Sequence, residues 1–243
     1  MKVIGIIPAR YGSSRFPGKP LADIKGKTMI RRVYEQAKQS KALDELIVAT
    51  DDKRILDEVE KHGGKAIMTE IHHKSGTDRC LEALEKYGKG YWDVVVNIQG
   101  DEPFIHPEQI ESVVNCFKKK EVNIATLVRK IEEPRELQQA SVVKVVRKAN
   151  GEALYFSRSP VPFIRDAGGK TLTQKFEFMK HIGIYAYRPD VLKKLVKLPP
   201  SSLEIAESLE QLRWLENGYS IYVEVTDKES QAIDTPEDLQ KLL

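Results

Sequence analysis

The chain alternates short, continuous apolar runs with segments in which apolar residues recur every three or four positions. The first pattern is typical of buried strands and the second of amphipathic helices. Strands are predicted at residues 3–7, 45–49, 65–68 and 93–98. Helices are predicted at residues 28–40, 53–61 and 107–119, with a further helix ending near residue 87. This alternation predicts an α/β fold with a mostly parallel sheet and right-handed crossovers.

The pattern changes after residue 124, where strand-like runs follow one another more closely. Further strands are predicted at residues 124–129, 142–147, 154–157, 180–187 and 221–225, and helices at 189–197, at 203–217 and from Thr235 onwards. Asn150-Gly151 is a strong hairpin signal between two of these strands. Residues 157–178 contain two prolines, two adjacent glycines and few periodic apolar positions, which is typical of an excursion from the core. We therefore expect one domain over residues 1–243, with a smaller lobe at about 125–190.

The amino-acid composition excludes some classes of protein but does not indicate a specific function. Of the 243 residues, 41% are hydrophobic, which is enough for a substantial core. The 39 basic and 36 acidic residues give a net charge of +3, which argues against a nucleic-acid partner bound through charge. No apolar run approaches membrane-spanning length and no signal peptide is evident, so we expect a cytoplasmic protein without a membrane partner. Cys80 and Cys116 lie in separate helical patterns and are expected to be buried free thiols.

A basic loop follows the first predicted strand. It contains three cations, Arg10, Arg15 and Lys19, together with Gly12 and Gly18. Such a loop can bind an anion, because glycines let the backbone approach closely while the cations neutralise charge. The spacing departs from the Walker phosphate loop, since five residues separate Gly12 from Gly18 where that motif has four. The alternative is a basic surface loop without a ligand.

Two acids could place a metal ion beside this loop. Asp101 follows the strand at 93–98, so it is expected at the same sheet edge as the basic loop. Asp234 precedes the last predicted helix. Acids, cations and an anionic ligand together suggest bridging by Mg²⁺. The alternatives are a turn acid at the first position and a capping acid at the second.

A second group of polar residues lies later in the chain and could bind a polyhydroxy acid by directed hydrogen bonds. Two of its members lie four apart in one predicted strand and therefore share a face. Each residue alone could equally be an ordinary packed or surface polar group. The group consists of Arg158, His181, Tyr185, Glu210 and Gln211.

Seven stretches taken together resemble a known family. They are IIPARYGSSRFPGKPL, VATDD, HKSGTDR, NIQGDEPFI, YFSRSPVPF, HIGIYAYR and IDTPEDL, and they span nearly the whole chain in family order. On these motifs the chain resembles the 3-deoxy-manno-octulosonate (Kdo) cytidylyltransferases, also called CMP-Kdo synthetases. The resemblance implies a three-layer sandwich of the nucleotide-diphospho-sugar transferase type. It also implies a homodimer formed through the smaller lobe.

The resemblance implies a reaction in which CTP and Kdo give CMP-Kdo and pyrophosphate for lipopolysaccharide biosynthesis, with Mg²⁺ as cofactor. It places Arg10, Ser13 and Lys19 around the triphosphate, His73, Ser75 and Arg79 on the cytidine side, and Gln99 in contact with both substrates. It makes Asp101 and Asp234 the Mg²⁺ ligands. It also makes these two acids, together with Lys19 and Arg10, the catalytic residues. It assigns Arg158, His181, Tyr185, Glu210 and Gln211 to the Kdo site.

Other functions remain open at this stage. Another sugar acid, such as an amino-substituted Kdo or sialic acid, could be the acceptor. A non-catalytic nucleotide-binding module would bind CTP without releasing pyrophosphate. A dinucleotide-dependent dehydrogenase is remote, because the G-x-G-x-x-G fingerprint is absent from the chain.

Overall fold

A central sheet with helices on both faces forms the body of the protein. The structure is a computed structural model, and it describes residues 1–12, 16–88, 90–166, 168–169, 171–229 and 232–240. The described strands are β1 (Val3–Ala9), β2 (Asp23–Ile24), β3 (Lys27–Thr28), β4 (Glu45–Thr50), β5 (Ala66–Met68), β6 (Val94–Asn97), β7 (Ile124–Lys130), β8 (Lys144–Arg147), β9 (Ala153–Ser157), β10 (Met179–Tyr187) and β11 (Tyr222–Val225).

The helices alternate with these strands in the first half of the chain, as the pattern predicted. The described α-helices are α1 (Met29–Ala37), α2 (Lys53–Lys61), α3 (Gly76–Tyr87), α4 (Pro107–Asn115), α5 (Pro134–Gln138), α6 (Leu172–Lys175), α7 (Pro189–Leu195), α8 (Ser202–Glu207), α9 (Glu210–Glu216) and α10 (Pro236–Gln240). Short 3₁₀ helices cover Lys19–Leu21 and Cys116–Lys118. In the part of the chain that the structure describes, no helix has the length and apolar character needed to cross a bilayer.

Side chains at the helix starts explain where the helices begin. Thr28 caps α1 by accepting a hydrogen bond from the backbone N–H of Arg31. Ser75 caps α3 by accepting a hydrogen bond from the Asp78 backbone N–H, and the Asp78 carboxylate accepts one from the Ser75 backbone N–H, so the two residues form a capping box. Such caps satisfy backbone donors that the helix itself leaves unpaired.

The strand order across the main sheet is β11-β7-β10-β6-β1-β4-β5. Strand β1 lies at the centre of the parallel part, between β4 and β6. Strand β10 runs antiparallel to both of its neighbours in this order, so the sheet is mixed, and the other four of the six neighbouring pairs in this order are parallel. The carboxyl ends of β1, β4 and β6 consequently lie at one edge, where the candidate site forms.

Two apolar layers enclose the sheet and confirm the predicted sandwich. On one face, α1, α2 and α4 pack against residues such as Ile7 and Val96. On the other face, α3, α7 and α9 pack against residues such as Ile6 and Val95. Each fully buried valine or isoleucine of this kind contributes roughly 1.5–3 kcal/mol. The buried Cys80 and Cys116 are free thiols in separate helices, as expected.

The predicted hairpin is present within residues 125–190, the range in which a smaller lobe was predicted. Strands β8 and β9 pair antiparallel, and β8 also pairs with the start of β10. The turn between them contains Gly151, whose φ of 92° lies in the left-handed region. A Cβ at this position would lie 2.7 Å from the Tyr222 ring, so both conformation and space require glycine. Asn150-Gly151 therefore makes the turn that the sequence indicated.

The prediction of a single helix over residues 203–217 is wrong. The chain forms α8 and then α9, with a break at Ser208, whose φ of 51° is left-handed. No glycine or proline marks this break in the sequence, so the helical periodicity continues through it. The break is held by tertiary contacts, because the Arg158 guanidinium donates to the carbonyl oxygens of Glu207 and Ser208 at 2.7 and 3.2 Å. The pattern also missed the two-residue strands β2 and β3 and the short helices α5 and α6.

Candidate active site

A cleft of about 230 Å³ opens at the carboxyl ends of β1 and β6. Its lining includes eight residues that the sequence analysis singled out, from segments far apart in the chain. They are Arg10, Lys19, His73, Ser75, Arg79, Gln99, Asp101 and Asp234. Two further members of the basic loop, Ser13 and Arg15, lie outside the described residues. The predicted edge of the parallel sheet is therefore where the candidate nucleotide residues meet.

The floor of the cleft depends on two glycines that pack against Pro8 at the end of β1. A Cβ on Gly100 would lie 2.7 Å from the Pro8 carbonyl oxygen, a distance that forces backbone to move. A Cβ on Gly76 would lie 3.2 Å from the Pro8 ring. These contacts bring the start of α3 and the loop after β6 up to the end of β1. Glycine is thus a geometric requirement at position 100, whereas a Cβ at position 76 would need the Pro8 ring to shift slightly.

Lys19 joins the two candidate metal ligands. Its ammonium lies 2.8 Å from Asp101 Oδ2 and 3.3 Å from Asp234 Oδ1, and its side chain is only 13% exposed. A backbone hydrogen bond of 2.9 Å from the Ile233 N–H to the Asp101 carbonyl holds the two acidic segments together. Residues separated by 82 and 215 positions in sequence therefore form one charged group.

The charge of this group leaves room for a divalent cation. One ammonium and two carboxylates sum to one negative charge, and a triphosphate brings about four more. Carboxylates are the protein ligands that Mg²⁺ prefers, and it usually takes one or two of them with water and phosphate oxygens. No set of three or more His, Cys, Asp or Glu side chains placed to hold a metal occurs within the described ranges. Asp101 and Asp234 therefore fit a magnesium ion whose coordination a nucleotide and water would complete.

The start of α3 points its positive end at the cleft. Ser75 and Gly76, the cap and first residue of this helix, both line it. Helix N-termini attract anions because their backbone N–H groups and dipole favour negative charge. The α3 start therefore adds positive potential opposite the Lys19 group.

Arg79 lines the same cleft, but its charge is already neutralised. Its guanidinium lies 2.7 Å from Asp51 Oδ2 and donates to Thr69 Oγ1, and the two ionic side chains are 3% and 8% exposed. Asp51 Oδ1 also accepts the backbone N–H of Tyr11 at 3.4 Å. This buried pair ties α3 to the end of β4 and to the basic loop. The family resemblance assigned Arg79 to the nucleotide, whereas Asp51 was not predicted as a site residue, although it follows a buried strand just as Asp101 does.

His73 is held at the cleft by Glu82. The imidazole Nε2 makes a short contact with Glu82 Oε2, which also accepts the backbone N–H of Glu70 at 2.9 Å. Burial opposes ionisation of Glu82, but Lys86 and His73 beside it hold its pKa at about 2. The carboxylate is thus charged over the physiological range and fixes the orientation of the His73 ring.

The second group of polar residues begins on β10, and its members are not among the residues that line the cleft. His181 and Tyr185 lie on one face, as their spacing predicted, with ring centroids 5.2 Å apart. The His181 Nε2 lies 3.0 Å from the Thr126 hydroxyl. Burial lowers the pKa of His181 to about 4, so the ring is neutral at pH 7. A neutral imidazole in this position can donate or accept a hydrogen bond but carries no charge.

Glu210 and Gln211 open α9 and face the same region. The Thr77 hydroxyl on α3 donates to Glu210 Oε2 at 2.9 Å. Burial raises the pKa of Glu210, while hydrogen bonds from Thr77 and Ser75 act in the opposite direction. Several buried polar atoms nearby have no hydrogen-bond partner among the residues that the structure covers. They are Asn97 Oδ1, the hydroxyls of Tyr185 and Tyr187, Gln211 Nε2 and Trp214 Nε1.

Arg158 does not join this group. Its guanidinium donates to three backbone carbonyls, those of Ala140, Glu207 and Ser208, at 2.9, 2.7 and 3.2 Å. Its own carbonyl accepts a short hydrogen bond from the buried Lys144 ammonium. The structure therefore places Arg158 at the break between α8 and α9, with its donors directed at the backbone.

The sequence profile of the cytidylyltransferase family matches residues 4–225. The chain belongs to this family. The 3-deoxy-manno-octulosonate cytidylyltransferase of Parabacteroides distasonis is 56% identical over 250 residues, covering 100% of this chain and 97% of the relative. That of Thermodesulfovibrio yellowstonii is 52% identical, covering 99% of this chain and 96% of the relative.

A solved structure of a CMP:2-keto-3-deoxy-manno-octonic acid synthetase complexed with CTP has the same fold as this cytidylyltransferase. The two match with a TM-score of 0.91 at 45% identity, covering 100% of this chain and 97% of the other. The resemblance inferred from the seven sequence motifs is therefore confirmed, and so is the fold class that it implied.

Proposed function

We propose that this cytidylyltransferase transfers CMP from CTP to the anomeric 2-hydroxyl of Kdo, giving CMP-Kdo and pyrophosphate. The names of full-length relatives and a neighbouring structure complexed with CTP support this assignment. The observation that carries it is the Lys19 ammonium between Asp101 and Asp234, at a cleft facing the α3 start. This arrangement suits a metal-bound triphosphate attacked at its α-phosphorus.

The triphosphate would lie between the basic loop and the start of α3. Lys19, held by its ion pairs, and the exposed Arg10 supply positive charge there, and Ser13 belongs to the same predicted set. The α3 N-terminus adds its dipole, so charge that develops on the departing pyrophosphate meets donors already in place. His73, Ser75 and Arg79 would form the cytidine side, with Glu82 and Asp51 fixing His73 and Arg79 respectively.

Asp101 and Asp234 would hold Mg²⁺. When bound, the ion supplies positive charge at the phosphate and lowers the pKa of the attacking hydroxyl. The remaining task of the protein is positioning, because phosphoryl transfer of this kind needs little covalent chemistry from side chains. Lys19 restrains both carboxylates through its two ion pairs, and Gly100 allows the Asp101 loop to approach β1. No histidine is required as a general base.

The sugar acid would occupy the region bounded by Gln99, β10 and the start of α9. His181, Tyr185, Glu210 and Gln211 offer neutral and charged hydrogen-bonding groups there, which suits an acceptor rich in hydroxyls. Arg158 belongs to this proposed set on resemblance alone. To bind the sugar acid, its guanidinium would have to break its hydrogen bonds to three backbone carbonyls and form new ones to the ligand.

Pyrophosphate release tests the assignment directly. CTP and Mg²⁺ with Kdo should release pyrophosphate, whereas reactions lacking Kdo or supplied with ATP, GTP or UTP should stay at background. An amino-substituted Kdo and sialic acid serve as competing acceptors. Faster turnover with either would reassign the acceptor, and binding of CTP without any pyrophosphate release would leave only a nucleotide-binding module.

We also propose that the single domain forms a homodimer through its smaller lobe. Large apolar side chains are exposed there, including Leu154, Phe163 and Phe176, and Phe163 is 87% exposed. Such a group of exposed apolar residues is typical of an interaction surface. Light scattering should give a dimer for the wild type and a monomer for Phe163→Asp. Tyr91→Asp changes an exposed aromatic residue outside the lobe and should remain dimeric; a wild-type monomer would contradict the proposal.

A further inference from the structure

Thr77 is a buried hydroxyl that connects two elements of the site. It is the second residue of α3, and its side chain is 2% exposed. Its Oγ1 donates to Glu210 Oε2 at 2.9 Å, across 133 positions in the sequence. Thr77 does not line the cleft, whereas its neighbours Ser75 and Gly76 do. The hydroxyl therefore acts on another side chain and not on the space where a nucleotide would lie.

The two ends of this hydrogen bond belong to different halves of the proposed site. The start of α3 faces the candidate nucleotide cleft. Glu210 is the first residue of α9 and belongs to the candidate sugar-acid group. Between Ser208 and Glu210 the chain has left the helical conformation of α8, so the direction of α9 is not set by a continuous helix. A side-chain bond to α3 is what fixes the Glu210 carboxylate relative to the nucleotide.

The surroundings of the carboxylate make this donor important. Glu210 is partly buried, and buried charged groups need hydrogen-bond donors. Tyr185 and Tyr187 lie close to Glu210, Tyr185 beside Thr126 and Tyr187 beside Thr77, but neither hydroxyl makes a hydrogen bond of normal geometry within the described parts of the chain. If Thr77 lost its hydroxyl, the carboxylate would keep only its hydrogen bond with Ser75 on α3 and could turn towards these groups. It would then leave the position from which it faces an acceptor.

We propose that Thr77 is a positioning residue that holds Glu210 against the start of α3, so that acceptor-binding and nucleotide-binding groups keep a fixed separation. The proposal rests on the function proposed above, in which Glu210 contacts the sugar acid. It assigns Thr77 an effect on the acceptor alone, although the residue belongs to the helix that faces the nucleotide.

The test compares Thr77→Val, which keeps the shape and removes the hydroxyl, with Thr77→Ser, which keeps the hydroxyl. Both substrates are titrated separately in the pyrophosphate-release assay. Loss of one hydrogen bond to a charged group corresponds to a factor of about ten to a hundred. We expect Thr77→Val to raise the KM for Kdo by about that factor and the KM for CTP by less than about twofold. Thr77→Ser should restore the KM for Kdo to within about threefold of wild type.

Thr226→Val is the matched control, because Thr226 is also buried and its hydroxyl accepts a backbone hydrogen bond far along the chain from α3. It should leave both KM values near wild type. If Thr77→Val fails to fold, as judged by its thermal transition, Thr77→Ala removes the same hydroxyl without adding apolar volume. A double-mutant cycle with Glu210→Gln should show non-additive effects if Thr77 acts through Glu210.

The outcomes separate this proposal from the proposed function. A folded Thr77→Val protein with unchanged KM for Kdo, or with equal changes for both substrates, overturns the positioning role. If the wild type is inactive with CTP and Kdo, the proposed function itself is overturned, whatever the Thr77 variants do. Wild-type activity together with a Kdo-specific defect that serine rescues supports both.

Discussion

Asp51→Asn should destabilise the protein far more than the same change at the next residue. Asp51 forms a 2.7 Å ion pair with Arg79, and the two side chains are 8% and 3% exposed. Removing one partner of such a buried pair leaves an uncompensated charge, at a penalty of about 3–5 kcal/mol. Asparagine has the size of aspartate, and its side-chain oxygen can still accept a hydrogen bond from the Tyr11 backbone N–H. The substitution therefore tests the loss of the negative charge.

Asp52→Asn is the matched control. Asp52 pairs with Arg54, but those side chains are 18% and 58% exposed, and an exposed pair contributes only about 0–1 kcal/mol. Asp52 also caps α2, a role that asparagine performs about as well. Both variants replace aspartate with asparagine, and they differ in how deeply the replaced side chain is buried.

Urea denaturation and thermal unfolding measure the difference. With about 2–4 °C per kcal/mol for a domain of this size, Asp51→Asn should lower the Tm by about 6–20 °C. Asp52→Asn should lower it by less than about 4 °C. CTP binding should weaken in Asp51→Asn alone, because Asp51 also contacts the basic loop. Equal Tm values for the two variants would refute the conclusion that the Arg79 pair is a structural support of the cleft.

Three further predictions concern the site. Asp101→Asn should lower kcat at least about a hundredfold while the Tm stays close to wild type, and a near-normal rate would exclude Asp101 as a metal ligand. Gly100→Ala should lower kcat/KM about ten- to a hundredfold, because its Cβ would lie 2.7 Å from the Pro8 carbonyl oxygen, and an unchanged kcat/KM would show that this close approach is not needed for the reaction. The folded-state pKa of Glu82 is about 2, below its ordinary 4.5, so its charged form stabilises the protein above pH 4.5 and this contribution disappears as the pH falls towards 2. The stability difference between wild type and Glu82→Gln, from urea denaturation, should therefore shrink between pH 5 and pH 3, and a constant difference would contradict the assignment.

The sequence predicted the sheet well because buried parallel strands leave a direct signal. Residues 3–7 are buried almost completely on both faces, and a short continuous apolar run is the pattern that such burial produces. The rule that parallel strands end at one edge also placed Lys19 near Asp101. It could not place Asp234, which follows no strand of the parallel core. Asp234 reaches the site through the backbone bond between Ile233 and Asp101, and no local pattern encodes that bond.

Asp51 could have been predicted as a site residue from its position directly after a buried strand. Asp51 and Asp101 both follow a buried strand, yet only Asp101 was considered as a site residue. The difference lies in their partners, since Arg79 neutralises Asp51 inside the protein and Lys19 holds Asp101 at the open cleft. Sequence position alone gives the edge of the sheet, whereas burial decides whether an acid there supports the site or faces a ligand.

The break between α8 and α9, which is the largest error in the fold prediction, also determines where the site residue Glu210 lies. A continuous helix over residues 203–217 would have fixed Glu210 by its helical phase. Instead, Arg158 binds the carbonyls of Glu207 and Ser208, and these bonds determine where α8 ends and α9 begins. A cation predicted to touch the sugar acid thus has a second task, which is to hold the chain break that precedes Glu210. Periodicity could not anticipate this, because the bonds that hold the break come from Arg158, about fifty residues earlier in the chain.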